Sequence, residues 1–586
     1  MQAADSRATF HFGEFELDLA AYTLHRRGRP VRLERRPMDL LILLVQQRGQ
    51  LVPRGEIVRQ LWGDSAFVDV EMGINTVILK VRRALHDSPR KPAFIDTVPG
   101  KGYRFIAEVE VVGGKQTVSR VRLAVLPFEN LAGDPDREYL ADGLTEEVTA
   151  LLGQLGVERL DVIGRTSVMA YKRTTKSIAA IGRELDAVYL VESSISAQGE
   201  KYRITSKLIR ALDQVQIWSS SYERQPNCML EFQRELSSAI AEQIRLKLSP
   251  DRLDAFARRQ TRDPEAYDLY LRGRHLWNQL SPPTTRRALE YYRRATECDS
   301  GYALAWSGLA DAYAASPING DASPLDVWRR ASEAAERAVA GEPDLAEAHA
   351  SVALVKFWLD WDWTGAETAY RKAIALDPNY VVAHRTLGIV LSCMQRHEEA
   401  ERTVRRAREL DPLHAGNYAL SAQVAFQARD YRAAIQLARQ ATILDPEFWV
   451  GYIQLAQAYE QSGNSDLAFD ALQKAGMFGG DNSKVISLRG FLLAKLGRTE
   501  EAAEVLNMLE VASRHRYLPP YATALVHCGL GRHDLAFDWL ERAFKSRDVH
   551  LALLPVDPKW DSLRADVRFP MLVKRCGFDA KPAWGI

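Results

Sequence analysis

Between residues 74 and 91, five basic side chains, Lys80, Arg82, Arg83, Arg90 and Lys91, accompany a single acid, Asp87. The whole chain holds 77 basic and 76 acidic residues for a formal net charge of +1, so this cluster is a local feature. Cations gathered on one small surface displace counterions from a polyanion, which the same number scattered over a large protein does not. A little further on, DTVPGKGYRF (96–105) adds Lys101 and Arg104 around a glycine turn. Pro99 fixes φ at about −65° and Gly100 is free to take positive φ, the pair wanted at the centre of a type II turn. Val98 and Tyr103 are then expected on antiparallel strands, with Lys101 at the tip and both glycines serving only the turn.

The elements that position these groups follow from periodicity. In INTVILKVRRAL (74–85), Ile74, Ile78, Val81 and Leu85 recur at spacings of 4, 3 and 4, one buried face of a helix. The opposite face collects Met72, Thr76, Leu79, Lys80 and Arg83, with Asn75 and Arg82 on its flanks. Upstream, PMDLLILLVQQRG (37–49) carries a proline suited to the first helical position, and RGEIVRQLWG (54–63) is a second amphipathic helix ended by glycine. The order is opening strands, three helices, then a hairpin. A helix fits the major groove of B-DNA, and a lysine-tipped hairpin beside it reaches neighbouring phosphates or the minor groove.

On the phrases LWG, VRRAL and TVPGKGYRF, residues 8–112 resemble the OmpR/PhoB-type winged-helix domain. The resemblance implies that the 69–85 helix is the recognition helix and that Thr97, Lys101 and Arg104 sit on the wing. Lys80, Arg82, Lys101 and Arg104 are then expected on phosphates, and Asn75, Thr76, Leu79 and Arg83 on base edges. Leu79 has two readings, a thymine methyl or another domain, and Arg104 has a structural one, pairing with an acidic neighbour. OmpR-type regulators carry a receiver domain before the winged helix; here the winged helix comes first, as in ToxR-like regulators, which argues against phosphorelay control.

A chain of 586 residues, 46% hydrophobic, is too long for one core. Its five cysteines, Cys228, Cys298, Cys393, Cys528 and Cys576, form no CxxC pair, which argues against zinc or a disulfide framework and fits a reducing compartment. The aliphatic run LLILLV (40–45) is far short of the roughly 20 residues a membrane span needs. With no leader pattern at the N-terminus, a cytoplasmic protein without membrane partners is expected. VVGGKQTVSR marks a linker at 113–120, and residues 121–248 alternate strand-like and helical runs, an α/β domain. The phrases AVLPFENL, YLADGLTEEV and AVYLVESSI resemble the TolB-N-terminal-like domain, which names no ligand. Asp134, Asp136, Asp142, Glu146 and Glu147 read either as a metal cluster or as a charged turn and helix start, the latter preferred. GxxxxGK[ST], HExxH, GxSxG and the metal-aspartate run of a nucleotide cyclase are absent, so no enzyme and no cofactor are expected.

From 262 to 578 strands vanish and a period emerges. Pro378, Pro412 and Pro446 recur at 34 residues, as do Gly463, Gly497 and Gly531. A fixed period of this length is one helix-turn-helix unit stacked repeatedly. WSGLADAY (306–313) resembles the opening of a tetratricopeptide repeat, and about eight repeats are expected, the first and last degenerate. The insertion SPINGDASP (316–324) and the trio Trp358, Trp361 and Trp363 depart from the pattern and blur its register. The expected architecture is a winged helix-turn-helix (α+β), a small α/β domain and an all-α solenoid. The expected function is a one-component transcriptional regulator that binds double-stranded promoter DNA and takes a protein or peptide on the solenoid. RNA polymerase and a second copy of the chain are further candidate partners. The rival is a scaffold whose winged helix docks protein rather than DNA, and a third reading, ranked behind both, is a nucleotide-cyclase-related enzyme.

Overall fold

Phe10, Phe12, Phe15, Leu17 and Leu24 alternate with polar neighbours and are all buried, the period of strands lying on a core. They belong to a meander of β1 (Thr9–Phe12), β2 (Phe15–Asp18), β3 (Thr23–Arg26) and β4 (Arg29–Val31), extended by β8 (Glu110–Val112) in the order β4-β3-β2-β1-β8. The computed structural model describes residues 9–18, 23–31, 33–62, 70–112, 120–131, 138–155, 160–198, 201–225, 229–244, 261, 263–278, 282–318 and 322–578. The chain divides into two units, 1–119 and 120–586. The 113–119 part of the expected linker, Gly63 of LWG, Asp134, Asp136 and Cys228 lie outside the described residues, as does the side chain of Met72.

In the first unit, α1 (Arg35–Gln46), α2 (Arg54–Trp62) and α3 (Val70–Leu85) follow the meander, and a small sheet of β5 (Leu51–Pro53), β7 (Gly102–Phe105) and β6 (Ile95–Val98) completes it. Strands, helices and hairpin come in the expected order; β5 and the returning β8 are additions to it. α1 begins two residues before Pro37, which therefore sits in its first turn. Ile74, Ile78, Val81 and Leu85 are buried as the periodicity requires. They pack over a ring cluster in which Phe12 and Phe105 lie 5.1 Å apart and Phe15 and Phe94 5.5 Å apart.

The hairpin turn closes through Lys101 N donating to Val98 O at 3.0 Å, with Gly100 at φ +69°. Gly102 corrects the expectation that both glycines serve the turn. A Cβ there would meet Val52 O at 2.0 Å, so this glycine is needed for the approach of β5 to β7.

Arg82 is a second correction. It is 6% exposed, and its guanidinium donates to Ile95 O and to Thr97 Oγ1, each at 2.8 Å, with Asp87 Oδ2 at 3.7 Å from Nε. Asp87 in turn accepts from the backbone N–H groups of Ala93, Phe94 and Ile95. Position on the helix explains the difference: the flank of α3 that carries residue 82 lies over β6, so the side chain turns inward to a strand carbonyl rather than outward to a phosphate.

The second unit opens with a mixed sheet of β9 (Val121–Val125), β10 (Glu129–Asn130), β11 (Leu160–Val162), β12 (Tyr189–Gln198), β13 (Lys201–Arg210) and β14 (Val215–Arg224), ordered β11-β9-β12-β13-β14 with β10 on β12. Helices α4 (Glu138–Leu155), α5 (Arg165–Met169), α6 (Ile178–Leu185) and α7 (Met229–Gln243) cover it. This α/β layer does not stand apart from the helical array. Asp161 accepts from Arg406 at 2.6 Å, Asn379 Nδ2 donates to Gly153 O at 3.0 Å, and buried Asp411 accepts from Ser167 N at 2.7 Å and from the Ser167 hydroxyl. The boundary read at 248–262 exists in composition, whereas packing joins the two parts into one unit.

The carboxylates of α4 are spent in this joint. Asp142 pairs with Lys172 at 2.5 Å, Glu147 accepts from Tyr267 OH at 2.6 Å, and Glu146 pairs with Arg274 and Arg165. Burial pushes the Glu146 carboxyl up, but the two guanidiniums outweigh it and hold it below its usual range. Among the described residues no group of three or more potential ligands is placed to hold a metal.

Helix pairs then run from Pro264–Trp277 with Pro282–Cys298 to Pro520–Gly529 with His533–Lys545, eight in all among the described residues. From the third pair on, the first helix of each ends on a left-handed residue, and these fall on one lattice: Trp361 (φ 56°), Gln395 (64°), Arg429 (65°), Gly463 (75°), Gly497 (75°) and Gly531 (70°), 34 residues apart. Trp361 therefore keeps the register that the tryptophan-rich stretch obscures. The tryptophans have another task. Trp363 stacks on Phe578 at 4.2 Å and donates from Nε1 to Cys576 O, while Arg547 lies over the rings of Trp328 and Trp361. The array thus curls until its final segment meets its second and third helix pairs.

Two outcomes follow from this packing. A Cβ added at Gly497 would meet no heavy atom within 4 Å, so Gly497→Ala costs only the left-handed backbone, about 1 kcal/mol in denaturant unfolding of the full chain, while Gln395→Gly is not destabilising. Arg82→Met strands Asp87 without its cation and lowers the stability of the 1–119 unit by about 3–5 kcal/mol, read by thermal melting.

Candidate nucleic-acid interface

With its apolar stripe buried, α3 leaves Asn75, Thr76, Leu79 and Arg83 on an exposed face. Leu79 is 44% exposed, a large apolar side chain presented to solvent in the middle of a polar surface. Arg83, in the last turn, is exposed and its guanidinium has no hydrogen bond or ion pair among the described residues. Lys80 is half-exposed and engaged, its ammonium 2.7 and 2.8 Å from the two carboxylate oxygens of Glu34 just before α1. A solvent-facing pair of this kind contributes at most about 1 kcal/mol, so a phosphate can replace Glu34 at little cost.

The hairpin presents Lys101 exposed at its tip and Thr97 exposed on β6, although the Thr97 hydroxyl already accepts from Arg82. Arg104 is half-buried, stands opposite Asp96 in the hairpin register and makes no ion pair with it among the described residues. Of the nine residues singled out from sequence, Arg82 alone is turned inward. Thr97 is spent partly on holding it.

Sequence reasoning missed Arg54, the first residue of α2. Its guanidinium donates to Asn75 Oδ1 at 2.9 Å and to Tyr103 OH at 3.1 Å, and the Tyr103 hydroxyl donates to Asn75 Oδ1 at 3.2 Å. This triangle joins α2, α3 and β7, fixing which way the Asn75 amide points: its oxygen is taken, leaving the NH2 outward. The signal lay in Tyr103, an aromatic whose hydroxyl requires a partner when the ring is buried. Tyr103 is 2% exposed.

Residues 28–105 match the family described as "Transcriptional regulatory protein, C terminal". A Rhizobium meliloti protein that carries the name adenylate cyclase 3 is 30% identical over 286 residues, 49% of this chain and 43% of that protein, so the chain spans less than half of that relative. The transcriptional regulator HilA of Salmonella typhimurium is 22% identical over 70% of this chain and 72% of its own length. The regulatory protein KdpE of Mycobacterium tuberculosis is 33% identical over 16% of this chain and 41% of its own. Among solved structures, the RstA DNA-binding domain of Klebsiella pneumoniae in complex with the RstA box is 28% identical over 17% of this chain and 96% of that one, with a TM-score of 0.16. A tetratricopeptide repeat protein from Parabacteroides merdae is 14% identical over 46% of this chain and 98% of that one, with a TM-score of 0.34. The first unit of this chain is a winged-helix domain of the transcriptional regulatory protein C-terminal family, the OmpR/PhoB type, joined in one polypeptide to a helical-repeat array.

Proposed function

We propose that this protein is a sequence-specific, DNA-binding transcriptional regulator of the one-component type, acting in the cytoplasm without enzymatic activity. The observation that carries the reading is the open face of α3, where Arg83, with no partner among the described residues, and exposed Leu79 stand beside the Asn75 amide in a domain of the regulator family. Arg83, Asn75, Thr76 and Leu79 read base edges, Arg83 as the bidentate donor to guanine and Leu79 against a thymine methyl. Lys80, Lys101 and Arg104 position the backbone. The regulator names carried by two relatives support the same reading. Among the described residues no helix is long and apolar enough to cross a membrane. The repeat array supplies the regulatory half, as a surface for a protein or peptide, for RNA polymerase or for a second copy of the chain.

A second reading, a nucleotide cyclase, is favoured by the name of one relative. It requires cyclic nucleotide to form from ATP with Mn²⁺.

The deciding experiment selects duplexes from a random pool with the full chain and measures affinity against salt for the selected site. Arg83→Ala is expected to lose about 1–3 kcal/mol and to relax preference at one base pair, and Lys101→Ala to reduce the slope of log K against log salt by about 0.9 while leaving preference intact. Unchanged affinity and slope in both variants overturn DNA recognition by this face and favour a scaffold whose winged helix docks protein.

A further inference from the structure

By curling back on itself the array surrounds a cavity of about 410 Å³ within the second unit, to which several helix pairs and the final segment contribute. Six aromatic side chains line it: Trp277, Trp358, Phe426, Phe448, Trp449 and Tyr521. Its charged lining is Arg385, Lys484, Lys559 and Asp557. Asp557 and Lys559 neutralise one another at 2.8 Å, and Lys559 Nζ also donates to Gln457 Oε1 at 3.0 Å. Two cations remain without an ion pair among the described residues, although Asp548 acts on Lys484 and Asp411 on Arg385 from further off. Lys484 has no hydrogen bond or ion pair to its ammonium there, and Arg385 has only the imidazole of His414 beside it, Nη1 3.0 Å from a ring Nε2 that must carry the proton because Nδ1 accepts from Gly416 N, with the Arg385 Nε buried and unpartnered. Burial drives His414 down to about 3, so that ring is neutral and compensates nothing.

Neutral groups around the cavity are equally unsatisfied. His550 is 7% exposed and its Nδ1 is 2.8 Å from Asp548 Oδ1, while its Nε2 is buried with no partner among the described residues. Asp548 lies wholly buried behind it, also accepting from the backbone N–H groups of Tyr521 and His550. Because Nδ1 faces a carboxylate, it holds a proton and donates to Asp548, which leaves Nε2 buried without a partner among the described residues. Gln427, 3% exposed, likewise lines the cavity with an unpartnered Oε1. A buried polar atom left without a partner costs about 1–3 kcal/mol, and two such atoms on residues lining the same cavity as an unpaired ammonium are a site waiting for complementary groups.

We infer that this cavity is an effector site for a small aromatic carboxylate that also carries a hydrogen-bond donor. The aromatic walls select a flat ring system. The carboxylate pairs with Lys484 and with Arg385, the two lining cations with no ion pair among the described residues. The donor satisfies Oε1 of Gln427. Burial also pushes Lys484 down to about 8, with Asp548 opposing, and an arriving carboxylate restores its charge. Binding stands independently of DNA recognition; only its regulatory consequence rests on the function proposed above.

The test is isothermal titration of the full chain, without DNA, with 6-hydroxy-2-naphthoate, its methyl ester and 2-naphthoate. Saturable one-to-one binding of the hydroxy acid is expected, at least tenfold weaker for the ester and measurably weaker without the hydroxyl. Lys484→Met is expected to lose at least tenfold for the hydroxy acid and to bind acid and ester alike. Ile453→Trp, which fills the cavity without touching its charges, abolishes binding. Absence of saturable binding, or equal binding of acid and ester to the unaltered chain, overturns the inference without any variant having to fold, and leaves the DNA-binding experiment untouched.

Discussion

The winged helix turns on one cation that is buried. Arg82 is withdrawn from water at the end of α3, where a bare guanidinium is costly, and a strand carbonyl, a threonine hydroxyl and a nearby carboxylate compensate it. That carboxylate, Asp87, simultaneously ties down three consecutive N–H groups of the segment entering β6. From 82 to 97 the chain is therefore wired into one piece. Lys101 at the hairpin tip and Arg83 on the helix face are held at a fixed separation by a buried network rather than by a flexible loop.

The second unit solves a different problem, how to repeat a unit without letting its ends fray. From the third pair on, a left-handed residue every 34 positions ends each first helix, and glycine fills it only in the later repeats. Where Trp361, Gln395 and Arg429 occupy it, the backbone cost is met by contacts at two of the three: Arg429 pairs with Asp561 at 2.6 Å and Trp361 lies under Arg547. The residues that break the sequence pattern are thus the ones that receive the final segment, and the same curl creates the aromatic cavity.

What was legible in the sequence was whatever repeats or punctuates. Periodicity gave α3 its buried stripe, Pro99 and Gly100 gave the turn, and the 34-residue step gave the array. What escaped was contact between distant stretches. Nothing local to Gly102 announces β5 at its back, nothing local to Lys80 announces Glu34, and a helical wheel places Arg82 on a flank without saying that a strand carbonyl waits there. The same holds for the α4 carboxylates, whose partners Arg274 and Tyr267 lie more than a hundred residues away. The sharp change of composition near 248–262 suggested separable parts, yet Asp161 and Asp411 show that a change of secondary structure need not be a seam.

The stacking of Trp363 on Phe578 has a bearing on biosynthesis. A polypeptide leaves the ribosome from its N-terminus, and repeats can ordinarily settle one by one as they emerge. Here Trp361 and Trp363, 8% and 5% exposed in the finished fold, are covered by residues translated some two hundred codons later. During that interval the indoles keep only the cover of their own repeat, such as Phe357 against Trp363, and the third repeat is completed only when the C-terminal segment has been made.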